Sequence, residues 1–208
     1  MMTKWFIIIG LMIPLMLQAQ KLEDLVEKDP EPVIKKQRGL AYSLVETGSG
    51  LGGFYEVPMD NILPFLHVGA AFDILLIRDK TQFEYYDPYY GYISIGKNNN
   101  VFLLDLMVTA KYRLFPYDFA DQFRPFITAG AGPVFGMNFP ETATDVPLKN
   151  QYLWAPGALI GFGIDAGDEG KTYFGFRFQY RFMPFSEKLG ERQDHSMVDI
   201  RLELGQRF

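Results

Sequence analysis

The residues of this chain whose types could support catalysis are its two histidines and their polar neighbours. Asp194, His195 and Ser196 are the residue types of a hydrolase triad, in which a histidine activates a serine and a carboxylate orients the histidine. A triad needs these three groups to meet in space, which consecutive residues cannot normally do. The sequence therefore favours a polar cluster between a loop and a strand, and predicts a protein that is not an enzyme.

His67 and the acidic residues of a tyrosine-rich segment are weaker candidates. His67 would share a strand face with Asp73, but the two lie too far apart along one strand for contact, so we expect a hydrogen-bonded interior histidine. Asp79, Glu84 and Asp87 could attract a divalent cation but lack regular ligand spacing. No phosphate loop, dinucleotide fingerprint or zinc spacing occurs, so we predict no cofactor and no metal.

The composition narrows the class of protein. A chain of 208 residues fits one domain or at most two, and its net charge of −5 without a basic stripe predicts no nucleic-acid partner. The absence of cysteine excludes a disulfide framework and a thiolate metal site. Aromatic residues make up 16% of the chain, which is high for a soluble domain of this size.

The first twenty residues read as a signal peptide. Lys4 precedes an apolar run at 5–17, and Ala19 offers a small residue for cleavage before Gln20. The run is shorter than the roughly 20 residues that a spanning helix needs. We therefore predict export of the mature chain, with a charged periplasmic arm at 21–38 and a folded domain at 39–208.

Strict alternation of apolar and polar residues runs through this domain and predicts β-strands. In 173–183 every second residue is aromatic, while Arg177 and Arg181 lie on the other face, and 198–208 repeats the pattern around Asp199, Arg201 and Glu203. Five same-face aromatics would overfill a small barrel, yet they suit a surface that faces lipid. The apolar faces are therefore predicted to point outward and the charged faces inward.

Charged side chains in a narrow lumen need partners of opposite charge. If 173–183 and 198–207 pair around the 184–196 loop, one register sets Arg181 beside Asp199 and Arg177 beside Glu203. The predicted network that plugs the lumen comprises Arg177, Arg181, Asp199, Arg201, Glu203, Asp105, Lys111 and Arg113.

Connection lengths predict an even number of strands. Long segments at 79–99, 139–150 and 184–196 alternate with shorter ones, as in outer-membrane barrels with long outer loops and short periplasmic turns. The chain parses into an all-β, antiparallel up-and-down transmembrane barrel of eight strands near 39–47, 50–57, 62–78, 100–115, 123–138, 151–166, 171–184 and 197–208. Gly48-Ser49-Gly50 could instead form a bulge within one long first strand.

These features resemble the small outer-membrane barrels of the OmpA/OmpX-like superfamily, in the versions common in Bacteroidetes-type bacteria. The residues that carry the resemblance are the signal ending before Gln20, the strands at 124–133 and 171–184, and the closing segment with Leu202, Leu204 and Phe208. The resemblance implies integration into a bacterial outer membrane with both termini periplasmic. It also implies that the C-terminal residues are recognised by the barrel-assembly machinery, although Gln206 interrupts their apolar face.

The function that follows is a structural or surface-interaction role in the outer membrane, with membrane lipid as a partner. The 79–99 loop could bind an extracellular ligand or protein through Tyr85, Tyr86, Tyr89, Tyr90 and Tyr92, or its tyrosines could belong to an interfacial girdle. Three alternatives stay open: a narrow outer-membrane channel, a lipid-modifying enzyme, and a soluble periplasmic carrier resembling lipocalins.

Overall fold

The computed structural model describes residues 35–78, 83–95, 98–115, 122–141, 149–167 and 172–208. The predicted signal peptide, and the predicted arm up to residue 34, lie outside these ranges. Within the ranges, no helix is long and apolar enough to cross a membrane.

The described chain is built from strands, which the alternating sequence pattern explains. Twelve strands occur in the described ranges: β1 Gln37–Val45, β2 Gly48–Pro58, β3 Leu66–Arg78, β4 Phe83–Asp87, β5 Gly91–Ile95, β6 Asn98–Arg113, β7 Phe123–Glu141, β8 Gln151–Ala166, β9 Thr172–Phe182, β10 Pro184–Leu189, β11 Arg192–Asp194 and β12 Met197–Arg207.

The longer strands close into a barrel. In the described part of the chain, eight strands are hydrogen-bonded in the order β1, β2, β3, β6, β7, β8, β9 and β12, and β12 pairs with β1 to complete the ring. Every pairing in this ring is antiparallel. The predicted eight-stranded up-and-down barrel is confirmed.

The strand bounds differ from the predicted ones mainly at two turns. Glu46 and Thr47 form the first turn, so Gly48-Ser49-Gly50 belongs to β2 and is not a bulge. β3 begins at Leu66, not near 62, because the chain turns at 59–65, where the backbone of Leu63 donates a hydrogen bond to the carbonyl of Met59.

The two ends of the barrel differ. At the terminal end, defined by Gln37 and Arg207, the chain turns between β2 and β3, between β6 and β7, and between β8 and β9. At the opposite loop end, β4–β5 and β10–β11 each form a separate two-stranded hairpin. The predicted long loops at 79–99 and 184–196 therefore contain hairpins of their own.

The barrel wall is inverted relative to a soluble protein. The outward face of β9 exposes Phe174, Phe176 and Phe178, with Phe174 69% exposed. The alternate residues Arg177 and Arg181 point inward and are 2% and 0% exposed. Successive side chains of a strand point to opposite faces, so the direction of the aromatic side chains also sets the direction of the arginines between them. This arrangement is the one predicted from the same-face aromatic residues and from the charges on the opposite face of the strands.

The half of the lumen nearer the loop end is lined by apolar side chains. None of these residues belongs to the predicted charge network. Inward positions there carry aliphatic and sulfur-containing residues, and two side chains of β10 pack among them. The buried cluster consists of Val45, Leu75, Ile77, Val101, Leu103, Met107, Val134, Ala155, Leu159, Met183, Phe185, Leu189 and Met197. The predicted charge network therefore accounts for only part of the lumen, because the inward faces of the strands hold both residue types.

The β10–β11 hairpin covers the mouth at the loop end. Phe185 and Leu189 are buried and lie against Gly136 of β7, where a Cβ atom would come within 2.9 Å of the Phe185 ring. The backbone N–H of Gly190, whose φ is +66°, donates to Gln151 Oε1 over 2.8 Å. These contacts hold the hairpin inside the barrel rim.

Candidate functional site in the barrel interior

The inward faces of the barrel strands bring an unusual number of charges out of water. In the described ranges, seven cationic and six anionic side chains are buried: Lys111, Arg113, Arg124, Arg177, Arg181, Arg201 and Arg207, and Glu56, Asp73, Asp105, Asp165, Asp199 and Glu203. An enclosed charge without a partner costs several kcal/mol, so burial on this scale requires close pairing.

Arg181 of β9 is the centre of the first cluster. Its guanidinium contacts Asp73 at 3.0 Å and Asp199 at 2.7 Å, and it also donates to Asp105. These carboxylates come from β3, β12 and β6. One side chain therefore joins four strands across the lumen. Gln179 completes the cluster by donating to Asp199 Oδ2 over 2.6 Å.

Arg201 links this cluster to a second one. It donates to Asp73, which it shares with Arg181, and its Nε atom lies 2.9 Å from Glu203 Oε1. The same Glu203 oxygen lies 2.9 Å from Nη2 of Arg177. Arg177 and Arg201 are directly opposite each other in the β9–β12 ladder, so Glu203 screens two like charges from each other.

The second cluster surrounds Lys111 of β6. Its ammonium lies 2.6 Å from Asp165 Oδ2 and 3.7 Å from Glu56 Oε2. The ring of Phe126 also faces the ammonium, with 4.2 Å between Nζ and the ring centroid. Lys111 is thus held by two carboxylates and by a cation–π contact.

The terminal end of the lumen is closed by a polar layer. The guanidinium of Arg207 stacks over the Tyr173 ring at 4.1 Å, and the Tyr173 hydroxyl donates to Gln37 Oε1 over 2.9 Å. Nε2 of His67 lies 3.3 Å from the carbonyl oxygen of Lys35 and 3.4 Å from Gln37 Nε2. His67 is therefore a hydrogen-bonded interior histidine that contacts β1 and the residues before it.

The register between β9 and β12 differs from the predicted one. Asp199 lies opposite Gln179, and Glu203 lies opposite Gly175, so the ladder is shifted by two residues. The ion pairs Arg181–Asp199 and Arg177–Glu203 still form, because the long arginine side chains reach diagonally across the pair of strands. A shift by two residues leaves every side chain on its predicted face.

The structure brings most of the predicted network together and adds members to it. Asp105 and Lys111 contact partners on strands that are not their neighbours, and Arg113 is buried at the terminal end of β6. Sequence reasoning missed Glu56, Asp73, Asp165 and Arg207 as network members. Continuing the alternation along each strand would have marked all four as inward, but pairing across the lumen depends on strand stagger.

The triad-like residues do not form a catalytic array. Nε2 of His195 lies 3.1 Å from the carbonyl oxygen of Leu189, and Ser196 Oγ accepts a hydrogen bond from the Met183 backbone over 3.0 Å. Asp194 accepts hydrogen bonds from the side chain and backbone of Ser196, which lowers the pKa of its carboxyl below the usual value. Asp194 ends β11, and His195 and Ser196 connect the hairpin to β12.

Two other predicted features lie on the outside of the barrel. Leu202, Leu204 and Phe208 face outward and are exposed. At the loop end, Tyr86, Tyr89 and Tyr90 of the β4–β5 hairpin are exposed, and Tyr89 is 92% exposed. The side chains of Tyr85 and Tyr92 lie outside the described parts. Among the residues that the structure describes, no group of three or more metal-binding side chains could hold a metal ion.

Asp87 shapes the tip of the β4–β5 hairpin. Its Oδ1 atom accepts hydrogen bonds from the backbone N–H groups of Tyr89 and Tyr90, at 2.8 and 3.0 Å. Gly91 follows with φ of +77°, a conformation that glycine adopts without strain. The turn therefore presents the tyrosine side chains on an ordered backbone.

Comparison with known proteins gives a likeness of fold. No family model and no curated sequence matches the chain. Similar solved structures include Neisserial surface protein A (10% identity, TM-score 0.48, covering 83% of this chain and 96% of that chain) and the attachment invasion locus protein Ail of Yersinia pestis (12%, 0.47, 85% and 100%). A major outer membrane protein from Thermus thermophilus is also similar (13%, 0.49, 85% and 100%). The closed, antiparallel eight-stranded barrel of the described chain is the architecture that the predicted resemblance implies.

Proposed function

We propose that this protein is a non-enzymatic, integral outer-membrane barrel whose lumen is closed by paired charges and whose role is structural or concerned with surface interaction. The observation that carries the proposal is the inverted wall, with thirteen charged side chains enclosed among the described residues and large apolar side chains outside. In water this arrangement would expose the apolar face and bury the ionic one, at a cost in both terms. In a lipid bilayer it is the stable arrangement.

Two layers of side chains, one ionic and one apolar, fill the lumen one after the other along the barrel axis and form its two seals against water. The ionic cluster around Lys111 lies towards the terminal end, and the cluster around Arg181 borders the apolar cluster. The apolar cluster with Leu189 fills the part nearer the loop end. An interior of eight strands is just wide enough for side chains to fill it. We therefore favour a closed barrel over a narrow channel. A soluble carrier would need the opposite orientation of both faces.

The lengths of the connections support a proposed orientation in the membrane. Short periplasmic turns and long extracellular loops are typical of bacterial outer-membrane barrels. The terminal end would then face the periplasm, and the two hairpins would lie on the extracellular side. Leu202, Leu204 and Phe208 form the exposed apolar ending by which we propose that the barrel-assembly machinery recognises the chain.

The β4–β5 hairpin supports the surface-interaction role. Tyr86, Tyr89 and Tyr90 offer exposed aromatic faces on an ordered turn at the proposed outer end. Tyrosine combines large contact area with a polar hydroxyl and is enriched at recognition surfaces. We propose this hairpin as the contact surface for an extracellular ligand or protein.

Conductance in planar bilayers tests the closed lumen. The barrel is refolded in detergent, its folded state is verified by faster migration on an unheated gel, and it is then reconstituted. We expect no current steps above the lipid baseline, because both seals exclude water. Reproducible steps from the folded protein would favour the narrow channel. Failure to form a heat-sensitive folded band in detergent or lipid would contradict the membrane barrel itself.

A further inference from the structure

An apolar groove runs along the outer wall where the first and last strands meet. Its volume is about 700 Å³, and it spans β8, β9, β12, β1 and β2. The walls are outward side chains that include Leu40, Leu51, Phe174 and Leu204.

The floor of the groove is formed by backbone. Ala41 and Gly175 line it, although their side-chain positions point into the barrel, so only their backbone reaches the outer surface. The outward residues on either side are large: Leu40 and Phe174 are 70% and 69% exposed. Large side chains therefore project on either side of exposed backbone. The resulting groove could hold an extended apolar chain.

Two cations lie beyond the terminal end of this groove. On β1 the outward residue before Leu40 is Arg38, and the exposed Lys36 precedes it. Arg38 pairs in register with Gln206, which follows the groove residue Leu204 on β12. The basic side chains thus continue the line of the groove at the position where a bilayer's headgroups would begin.

The contacts of Arg38 leave its charge available. Nη2 of Arg38 donates to the amide oxygen of Gln206 over 3.4 Å, and its guanidinium lies 4.8 Å from the centroid of the Phe208 ring. Neither partner carries a negative side chain, and the residue is exposed. The carbonyl of Lys36 accepts the backbone N–H of Phe208 over 3.0 Å, which fixes this segment against the end of β12.

We infer that this wall is a binding site for an anionic phospholipid, whose acyl chain lies in the groove and whose phosphodiester headgroup contacts Arg38 and Lys36. The inference rests on the proposed membrane orientation, because it needs the groove to face the bilayer. An apolar groove alone would accept any lipid. The cations at its end select for negative headgroups, and they bring the site to the leaflet at the terminal end.

Native mass spectrometry of the detergent-solubilised barrel tests the site. The protein is mixed with equal amounts of phosphatidylglycerol and phosphatidylethanolamine that carry identical acyl chains, and retained lipids are counted. We expect preferential retention of phosphatidylglycerol. Lys36→Gln with Arg38→Gln should reduce that preference about fivefold or more, since each basic side chain near anionic lipid contributes roughly 1 kcal/mol.

Matched variants separate the two parts of the site. Lys188→Gln with Arg192→Gln removes the same charge from the loop end and should leave the preference unchanged. Leu51→Trp fills the groove and should lower retention of both lipids, whereas Val108→Trp, at a similarly exposed outward position on β6 outside the groove lining, should not. Leu51 and Val108 are 66% and 63% exposed, so the pair is matched for contact with lipid.

The outcomes distinguish this site from the proposed function. Equal retention of the two lipids by the folded wild-type barrel, or an equal loss of preference in the loop-end variant, would overturn the lipid site and leave the membrane barrel standing. A chain that never gives the heat-sensitive folded band would contradict the membrane barrel first.

Discussion

Arg181 forms ion pairs with three buried carboxylates of the barrel interior. It is fully buried and contacts carboxylates on three other strands, so no single pair accounts for its role. In an enclosed site, the loss of one partner leaves an uncompensated charge, whose cost exceeds the net gain that the intact pair provides. Arg181 therefore acts as a shared counter-ion for β3, β6 and β12.

Charge reversal at this position should be severe and only partly reversible. Arg181→Glu adds a negative charge beside three carboxylates and is expected to lower the free energy of unfolding by at least about 3–5 kcal/mol. Adding Asp199→Arg should recover less than half of that loss, because Asp73 and Asp105 still face the introduced glutamate. Urea unfolding in detergent micelles, followed by tryptophan fluorescence, measures each change.

Lys188→Glu is the control for this series, because Lys188 is exposed on β10 and its reversal should change stability little. Full recovery in the Arg181→Glu, Asp199→Arg double variant would mean that Asp199 alone holds Arg181. Additive losses in the double variant would mean that the two side chains do not interact.

At the scale of elements, the strands were predictable and their stagger was not. Period-two alternation identified all eight barrel strands, and the predicted bounds of β8 match the observed ones. Alternation repeats every two residues, so it cannot distinguish registers that differ by two, and this is the error made between β9 and β12. Partners across the lumen, such as Lys111 and Asp165, depend on the summed stagger of several ladders.

The β10–β11 hairpin was missed for a different reason. Its inward residues Phe185 and Leu189 lie within a mostly polar segment whose sequence is typical of a loop. The residues that they pack against, such as Gly136, belong to strands distant in sequence. A hairpin of this kind is specified by the barrel rim rather than by its own sequence pattern, since an isolated two-stranded hairpin is marginally stable.

Weakening the hairpin should loosen it without opening the barrel. Phe185→Ala with Leu189→Ala removes its two buried anchors, and deleting a large apolar side chain from a packed site costs about 2–5 kcal/mol. We expect faster hydrogen exchange across residues 184–196 and no new conductance, because the ionic layer around Arg181 stays intact.

Glu187→Ala with Lys188→Ala alters the exposed side of the same hairpin and should leave exchange unchanged. If the anchor variant conducts ions in planar bilayers, the hairpin is the main seal and the ionic layer is permeable. Unchanged exchange in the anchor variant would mean that other contacts hold the hairpin.

At the scale of the whole molecule, the inverted wall makes Trp154 a reporter of the environment outside the barrel. Trp154 faces outward from β8, is 66% exposed and packs against Phe135 at a ring distance of 4.6 Å. The chain contains two tryptophans, and the other, Trp5, lies in the predicted signal peptide. A chain that starts at residue 21 therefore carries a single tryptophan.

Quenching experiments on this shortened chain should separate lipid from water at the wall. In vesicles we expect strong quenching of Trp154 by brominated acyl chains and little quenching by iodide, because the side chain meets hydrocarbon. Trp154→Phe should abolish the signal and so serves as the control. Stronger quenching by iodide than by brominated lipid would contradict the membrane orientation of the wall.

The near balance of the enclosed charges has a consequence for biogenesis. The seven cations and six anions buried in the described ranges leave a net charge of +1, although the whole chain is acidic. Their partners come from early and late parts of the sequence, as Asp73 and Arg201 do. A half-inserted ribbon would therefore expose unmatched ions to hydrocarbon. If the barrel inserts into a membrane as proposed, we expect insertion and closure to be concerted, with the opposite charges paired before the strands leave the water.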